Sequence, residues 1–508
     1  MKTSVFTTSV LCSLATTTMA QVSSTKQPAA ERSKDSRPNI IFLMTDQQRW
    51  DAIGKFNPII KTPAIDSLAR EGIVFSQAVC QAPMSVPSRF ALMTGLYPLQ
   101  TGVLSNGSRT YTDPFLPIDP IPEMLRKAGY QTAGFGKTHW GRTGSPTPIS
   151  TRGFDVRYVG AKEVGLETGA FYQDDDDPEG LKAYRAEASK YGGGEENVLG
   201  YLGETSQVDP RHHRDGWVAE KCLEYIDKGI DQSKPLFLYL SFLKPHAGFN
   251  IPKPFESWYD IDQIPDMDDV PLEWFLNDHQ TDVHKAQYRT WREAFEKLSP
   301  EDRKQTVLRY YANCSWLDNY FRQVLNKLKK QGILDNAIIV FLSDHGEMLG
   351  ERHYRFTKYC LYESSVRVPL VLSGTYIDKA KKGTVDDRNV QLTDIYTTLQ
   401  NVAEIEKSPL LGGINLLNPT ENRPGTFSEL HEEGRPAYMW RTKEWKLILY
   451  TDTNDGGKTK GELYHLTVDP KEYKNLYAVD EYAAIRESMK TELIMHIANT
   501  TSKYPVGR

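Results

Sequence analysis

From Pro38 onward, short continuous apolar runs alternate with segments whose apolar residues recur at helical spacing, the pattern of an α/β chain. Ile40 to Met44, Thr132 to Phe135, Leu236 to Phe242, Ala337 to Leu342 and Leu370 to Leu372 are the strand candidates, and their unbroken apolar character suits strands covered on both faces. Thr62-Pro63 opens a helix, with the threonine hydroxyl expected to cap it, Ile65, Leu68 and Ala69 on one face and Gly72 as the stop. Leu317, Phe321, Val324, Leu325 and Leu328 mark a longer helix ending near Gly332. After about residue 405 the pattern changes to short aromatic-rich runs, Ala437 to Arg441, Lys446 to Thr451 and Glu462 to Leu466. These predict a small antiparallel sheet, with a terminal helix from about Glu481 packed on it. A main domain over 38–404 and a C-terminal subdomain over 405–508 follow.

Composition narrows the function classes. The 508 residues carry a formal net charge of −5, so neither a nucleic-acid footprint nor attraction to an anionic membrane is expected. Lys2, a modestly apolar stretch and Thr18-Met19-Ala20 read as a signal peptide over 1–20 cleaved after Ala20, which predicts export to the periplasm or medium. Cys12 follows Leu11, which argues against a lipoprotein anchor, and 21–37 is polar enough to be a disordered leader. Cys80, Cys222, Cys314 and Cys360 match no compact disulfide scaffold or zinc spacing and are read as buried thiols. No later apolar run is long enough for a membrane span. Asp174 to Asp177 reads as a solvated loop, with a second calcium site as the lesser reading.

The chemistry lies just past the strands, where open α/β sheets bind ligands. Asp46 and Gln47, Lys137 and His139, Lys244 and His246, and Asp344 and His345 each follow a strand candidate. Singly these are turn, cap or core residues; jointly, at one sheet edge, they describe a site. Asp46, Gln47, Asp344 and His345 offer mainly oxygen ligands with one nitrogen, which suits a hard divalent cation such as calcium. Arg89 and Lys137 add fixed positive charge.

The stretch SVPSRFALMTG, Ser85 to Gly95, resembles the sulfatase signature. MTDQQ, GKTHW, KPH, SDHGEMLGER, TKYCLYESSVRVPL and ELYHLTVDPKEYKNL resemble further motifs of that family, so the resemblance covers essentially the whole mature chain. It implies the alkaline phosphatase/sulfatase-like fold, α/β with a large central, mostly parallel mixed sheet flanked by helices and a smaller C-terminal antiparallel-sheet subdomain. It also implies that Ser85 is oxidised to Cα-formylglycine, whose hydrate is the nucleophile. Ca2+ would be held by Asp46, Gln47, Asp344 and His345 and would contact position 85. Arg89 would fix the formylglycine hydroxyl, Lys137 and Lys358 would bind sulfate oxygens, and His139 and His246 would handle protons, in an order left open. Asn106 matches a substrate-contacting asparagine of part of the superfamily. Ser85 is further expected just before a helix opening at Pro87 and Ser88, whose N-terminal field favours an anion.

Two departures shape the reading. Many sulfatases have a second aspartate where Gln47 stands and asparagine where His345 stands, and the pair resembles the choline sulfatase and phosphonate monoester hydrolase branch. A phosphonate monoester or phosphodiester hydrolase is therefore the runner-up, although Lys137 and His139 favour sulfate. Serine rather than cysteine at position 85 implies a radical S-adenosylmethionine maturase acting before export and suggests a bacterial source. A third reading is an inert sulfated-glycan-binding protein with unmodified Ser85. The expected substrate is a sulfated polysaccharide or its oligosaccharides. Arg142, His353 and Arg355 adjoin the motifs as candidate substrate contacts. His212, His213, Arg214, Trp258, Tyr259, Trp274 and His279 lie in variable loops, where the aromatics either stack on sugars or pack the loop cores.

Overall fold

All five strand candidates of the main domain fall in strands of one nine-stranded sheet. In chain order these strands are β1 (Asn39–Thr45), β2 (Gly72–Phe75), β3 (Gln131–Gly136), β4 (Val156–Gly160), β5 (Ala170–Phe171), β6 (Leu236–Ser241), β7 (Ala337–Ser343), β8 (Leu370–Gly374) and β9 (Thr384–Asp386). Their spatial order is β9–β2–β8–β7–β1–β6–β3–β4–β5. The consecutive neighbours β7, β1, β6 and β3 run parallel, whereas β8 is antiparallel to both β7 and β2, making the sheet mixed. The computed structural model describes residues 36–502 except 111–115, 141, 144–151, 161–169, 172–177, 191–197, 268–269, 272–284, 433–434 and 452–458. The expected signal peptide, nearly all of the leader, Asp174 to Asp177, Trp274 and His279 lie outside the described residues.

The central strands are apolar throughout because both faces are covered. Ile41 and Leu43 pack with Leu317, Phe321 and Val324 of one helix layer. Their alternates Ile40, Phe42 and Met44 pack on the opposite face with Leu92 and Leu399, as the two-residue side-chain period of a strand requires. The helices flanking the sheet include α1 (Pro63–Arg70), α2 (Ser85–Thr94), α3 (Arg214–Lys228), α4 (Pro300–Lys330) and α5 (Thr393–Val402).

Two local expectations are corrected. Thr62 does not cap α1 with its side chain; its hydroxyl accepts from the Gly54 amide at 2.8 Å. The cap is Asp318 of α4, which accepts from the amides of Ala64 at 2.9 Å and Ile65 at 2.8 Å. A carboxylate answers the helix dipole better than a hydroxyl does, and packing brings it in from a distant helix. The second correction is that α2 begins at Ser85 itself, leaving Pro87 in the first turn, where its missing N–H costs nothing.

The C-terminal region forms a four-stranded antiparallel sheet, β10 (Thr426–Glu432), β11 (Arg435–Arg441), β12 (Trp445–Thr451) and β13 (Thr459–His465), in sequential order. Helix α6 (Ala483–Ser502) lays Met489 and Leu493 on Phe427, Trp440, Leu447 and Leu463 of this sheet. Strand β10 was not read from sequence because its polar residues interrupt the apolar signal. Cys80, Cys222, Cys314 and Cys360 are free and buried, as expected. Among the described residues no helix is long and apolar enough to cross a membrane.

Candidate active site

Sheet register assembles the site. β1 and β7 pair residue for residue, ending with Thr45 opposite Ser343, so Asp46 and Asp344 leave the sheet together. On the other side of β1, β6 ends at Ser241 opposite Met44, and its continuation carries His246. β3 turns at Gly136, which has φ 86°; a Cβ there would fall 1.8 Å from the Ser241 carbonyl oxygen. Only glycine permits that approach, and the next residue, Lys137, donates its amide to Ser241 at 3.0 Å.

Ligand atoms of Asp46, Asp344 and His345 lie within 4.8 Å of one another, and all three residues are buried. Arg89, fully buried on α2, ties the cluster together: Nε donates to Asp344 Oδ2 at 2.6 Å and Nη2 to Asp46 Oδ2 at 3.0 Å. Lys137 Nζ stands 2.7 Å from the same Asp46 oxygen. Burial would raise the Asp46 carboxyl, but Lys137 and Arg89 overcome it and hold the group well below the usual carboxylate range. The two aspartates in turn keep Arg89 charged against the pull of burial. His345 is pushed down by burial, with Lys358 adding to the effect. Its Nδ1 lies 3.0 Å from the Gly346 carbonyl, which can only accept, so the proton sits there and Nε2 offers a lone pair. That Nε2 is 3.0 Å from Ser85 Oγ. The other Asp46 oxygen, Oδ1, is buried and receives no hydrogen bond among the described residues. An ionised carboxylate oxygen without a donor in such a place calls for a cation. Two carboxylates, a neutral imidazole and a nearby carboxamide therefore fit a hard divalent ion.

A second string of contacts leads away from the cluster through Gln47. Its backbone has φ 64°, held by its amide on Asp344 Oδ1 at 3.0 Å and by Tyr310, whose hydroxyl donates to the Gln47 carbonyl at 2.7 Å. Lys358 Nζ donates to Gln47 Oε1 at 2.8 Å and lies 3.2 Å from His246 Nε2. An ammonium can only donate, so His246 accepts at Nε2 in this arrangement. Lys358 sits in a tightly folded segment in which Leu349, Arg352, His353, Tyr354, Thr357 and Tyr359 all have positive φ. Such strained backbone persists only where surrounding contacts impose it; here Met348 donates to Thr357 at 3.0 Å and Gly350 to Arg355 at 2.7 Å.

Thus Asp46, Gln47, Ser85, Arg89, Lys137, His246, Asp344, His345 and Lys358 form one contact network, His246 joining it through Lys358. His139 follows Lys137 by two residues, half-buried and with φ 49°. Asn106 secures position 85 from behind, its Oδ1 accepting from the Val86 amide at 3.0 Å. Arg142 lies in a short strand opposite Arg109. His353 is engaged by the Val270 carbonyl at 2.8 Å and Glu296 at 3.0 Å, while Arg355 is buried with its guanidinium 5.8 Å from the Tyr288 ring centre. Among the loop aromatics, Trp258 packs on Phe255 at 4.8 Å, Tyr259 bonds Ser315 at 2.6 Å and His213 meets Trp316 at 5.3 Å. They build loop cores. Sequence reasoning missed Tyr310, Asp215 and Glu347. Asp215 of α3 accepts from the Leu243 and Lys244 amides at 2.8 and 2.9 Å, fixing the turn before His246. Only Glu347 had a local signal, its place two residues after His345.

Comparison with known proteins agrees with this geometry. The Sulfatase family profile matches residues 38–405, and that of the N-sulphoglucosamine sulphohydrolase C-terminal region matches 350–499. An arylsulfatase of Clostridium perfringens is 27% identical over 491 residues, covering 93% of this chain and 96% of the relative. An N-acetylglucosamine-6-O-sulfatase of Bacteroides thetaiotaomicron is 26% identical over 550 residues, covering 95% and 89%. The phosphonate monoester hydrolase of Agrobacterium radiobacter shares the fold, with a TM-score of 0.72 at 21% identity, covering 91% of this chain and 96% of that one.

Proposed function

The chain belongs to the sulfatase family and is a sulfuric ester hydrolase; from that premise we propose that it is exported and removes sulfate from a sulfated polysaccharide or its oligosaccharides, using Cα-formylglycine made from Ser85 by a radical S-adenosylmethionine maturase. The observation that carries the mechanism is the buried cluster of Asp46, Asp344 and His345 against Ser85, with an Asp46 oxygen that no donor among the described residues satisfies. Asp46, Gln47, Asp344 and His345 would hold Ca2+. The carbohydrate substrate is supported by the similarity to the N-acetylglucosamine-6-O-sulfatase.

When bound, the calcium would offset sulfate charge and the formylglycine hydrate would supply the attacking hydroxyl, with the aldehyde re-forming as sulfate leaves. The chain's own groups do the rest. Position 85 and Arg89 are four residues apart in α2 and so share a face; the guanidinium, pinned by two aspartates, is a fixed positive charge beside the nucleophile. Lys137 and Lys358 bring further positive charge for sulfate oxygens. His345, neutral with its Nδ1 proton on the Gly346 carbonyl, keeps its Nε2 lone pair 3.0 Å from the oxygen of position 85, where it would serve the calcium when the ion is bound. His139 and His246 handle protons, one at the leaving alcohol and the other at position 85. Asn106, Arg142, His353 and Arg355 are the proposed substrate-side residues.

Gln47 and His345, together with the shared fold, favour a second reading as a phosphonate monoester or phosphodiester hydrolase. Lys137, locked on Asp46, favours sulfate. The test is peptide mass analysis of active enzyme combined with turnover. Position 85 is expected to lack two hydrogens relative to serine, chelation to abolish turnover and calcium to restore it, and sulfate esters to be cleaved better than phosphonates. An unaltered Ser85 in fully active enzyme would refute the mechanism. Faster phosphonate cleavage would favour the second reading, and glycan binding without turnover by matured protein would mark an inert receptor.

A further inference from the structure

Glu347 is fully buried, two residues beyond His345, and no step above uses it. Its Oε1 accepts from the backbone amides of Leu349 at 3.0 Å and Thr357. Its Oε2 accepts from Gln47 Nε2. The other end of that carboxamide, Oε1, accepts from Lys358 at 2.8 Å. A carboxylate can only accept and an ammonium can only donate, so this amide has a single permitted orientation, with nitrogen toward Glu347 and oxygen toward Lys358. Gln47 follows Asp46 directly, and its backbone amide donates to Asp344 Oδ1 at 3.0 Å, so the residue is anchored on the metal-ligand cluster itself.

We propose that Glu347 is a positioning residue that locks the Gln47 carboxamide with its oxygen presented to the metal site, and that it thereby requires a neutral amide at position 47. The inference rests on the reading of Asp46, Gln47, Asp344 and His345 as a cation site. It also gives a physical reason for glutamine here. A carboxylate at position 47 would meet the Glu347 carboxylate in a buried pocket, where like charges are costly. An amide spans the carboxylate on one side and the ammonium on the other with both ends satisfied. Because Glu347 also holds the amides of Leu349 and Thr357, the same group ties the strained segment carrying Lys358 to the turn carrying Gln47.

The test is a double-mutant cycle on the full chain with unmodified Ser85, read by calorimetric titration with calcium, so that catalysis does not enter. Glu347→Gln, with its oxygen kept on the Leu349 and Thr357 amides, turns an N–H toward Gln47 Nε2 and no longer holds the carboxamide, and calcium affinity is expected to fall about tenfold, the low end of what losing an outer-shell partner costs. Gln47→Glu is expected to raise calcium affinity at least tenfold more in the Glu347→Gln background than in the wild type, because only there does the new carboxylate find a donor opposite it. The metal-free unfolding temperature provides the second arm: Gln47→Glu should lower it when Glu347 is present and not when Glu347→Gln is. Wild-type protein that binds no calcium would defeat the cation-site reading, and the metal-free arm would still decide this one. Unchanged affinity in Glu347→Gln, equal gains in the two backgrounds, or additive losses in the metal-free arm would each overturn the proposal.

Discussion

Ser85 Oγ lies 3.0 Å from His345 Nε2, across 260 positions of sequence. The contact joins the first turn of α2 to the carboxyl end of β7, and its direction follows from the Gly346 carbonyl, which takes the proton of the other ring nitrogen. His345→Ala should therefore lose the oriented Nε2 lone pair, which accepts from Ser85 in the metal-free protein and would serve the calcium when it is bound. A drop of about 10²-fold or more in kcat/KM, with calcium affinity weakened, is expected. His345→Asn keeps a short polar side chain and should lose less in both measurements; equal losses would remove the special role of the ring.

The two remaining histidines differ in surroundings, and leaving-group chemistry separates them. A sugar alkoxide is a poor leaving group and needs protonation, whereas nitrophenolate needs little. Removing a general acid costs about 10²- to 10⁴-fold. One of His139→Ala and His246→Ala should lose sugar-sulfate turnover by such a factor while losing far less on a nitrophenyl sulfate. Equal losses on the two substrates by both variants would sink the assignment of either as the acid.

Asp318 is a stability prediction far from the chemistry. Burial pushes its carboxyl up to about 7 even though two α1 amides donate to it. Asp318→Ala leaves the Ala64 and Ile65 amides without their cap and should cost about 1–2 kcal/mol in denaturant unfolding. Asp318→Asn retains an acceptor and should cost less. Both should retain wild-type kcat once matured, since α1 contributes no residue to the site.

His213 predicts a pH dependence of stability. Burial, with Lys244 adding, pushes the ring down to about 4. A base whose folded value lies below its unfolded value of about 6.5 is stabilising when neutral. Its contribution is complete above pH 6.5 and is lost as the pH falls toward 4, up to about 3 kcal/mol in all. His213→Phe keeps the aromatic contacts to Tyr184 and Trp316 and removes the titration. Its unfolding free energy should fall less steeply than that of the wild type between pH 6.5 and 4; parallel slopes would exclude His213 as the source.

Unbroken apolar runs such as Ile40 to Met44 and Ala337 to Leu342 were sufficient to identify the central strands, because burial on both faces leaves no other composition for them. The residue types just beyond those runs marked the site, because a parallel sheet with matched register delivers all its strand ends to one edge. Local sequence determined that much. Contacts between side chains distant in the chain depended on tertiary packing. Nothing near Thr62 announces that Asp318 will displace its hydroxyl as the cap of α1. Nothing near Gln47 announces that Tyr310 will hold its carbonyl or that Glu347 and Lys358 will grip opposite ends of its amide. The rings of His213, Trp258 and Tyr259 were open to either sugar stacking or packing, and only the arrangement of the helices decided that they fill loop cores. Periodicity and turn chemistry act over a few residues and are written locally, whereas the partner of a buried polar group is whichever complementary atom the packed layers bring within reach.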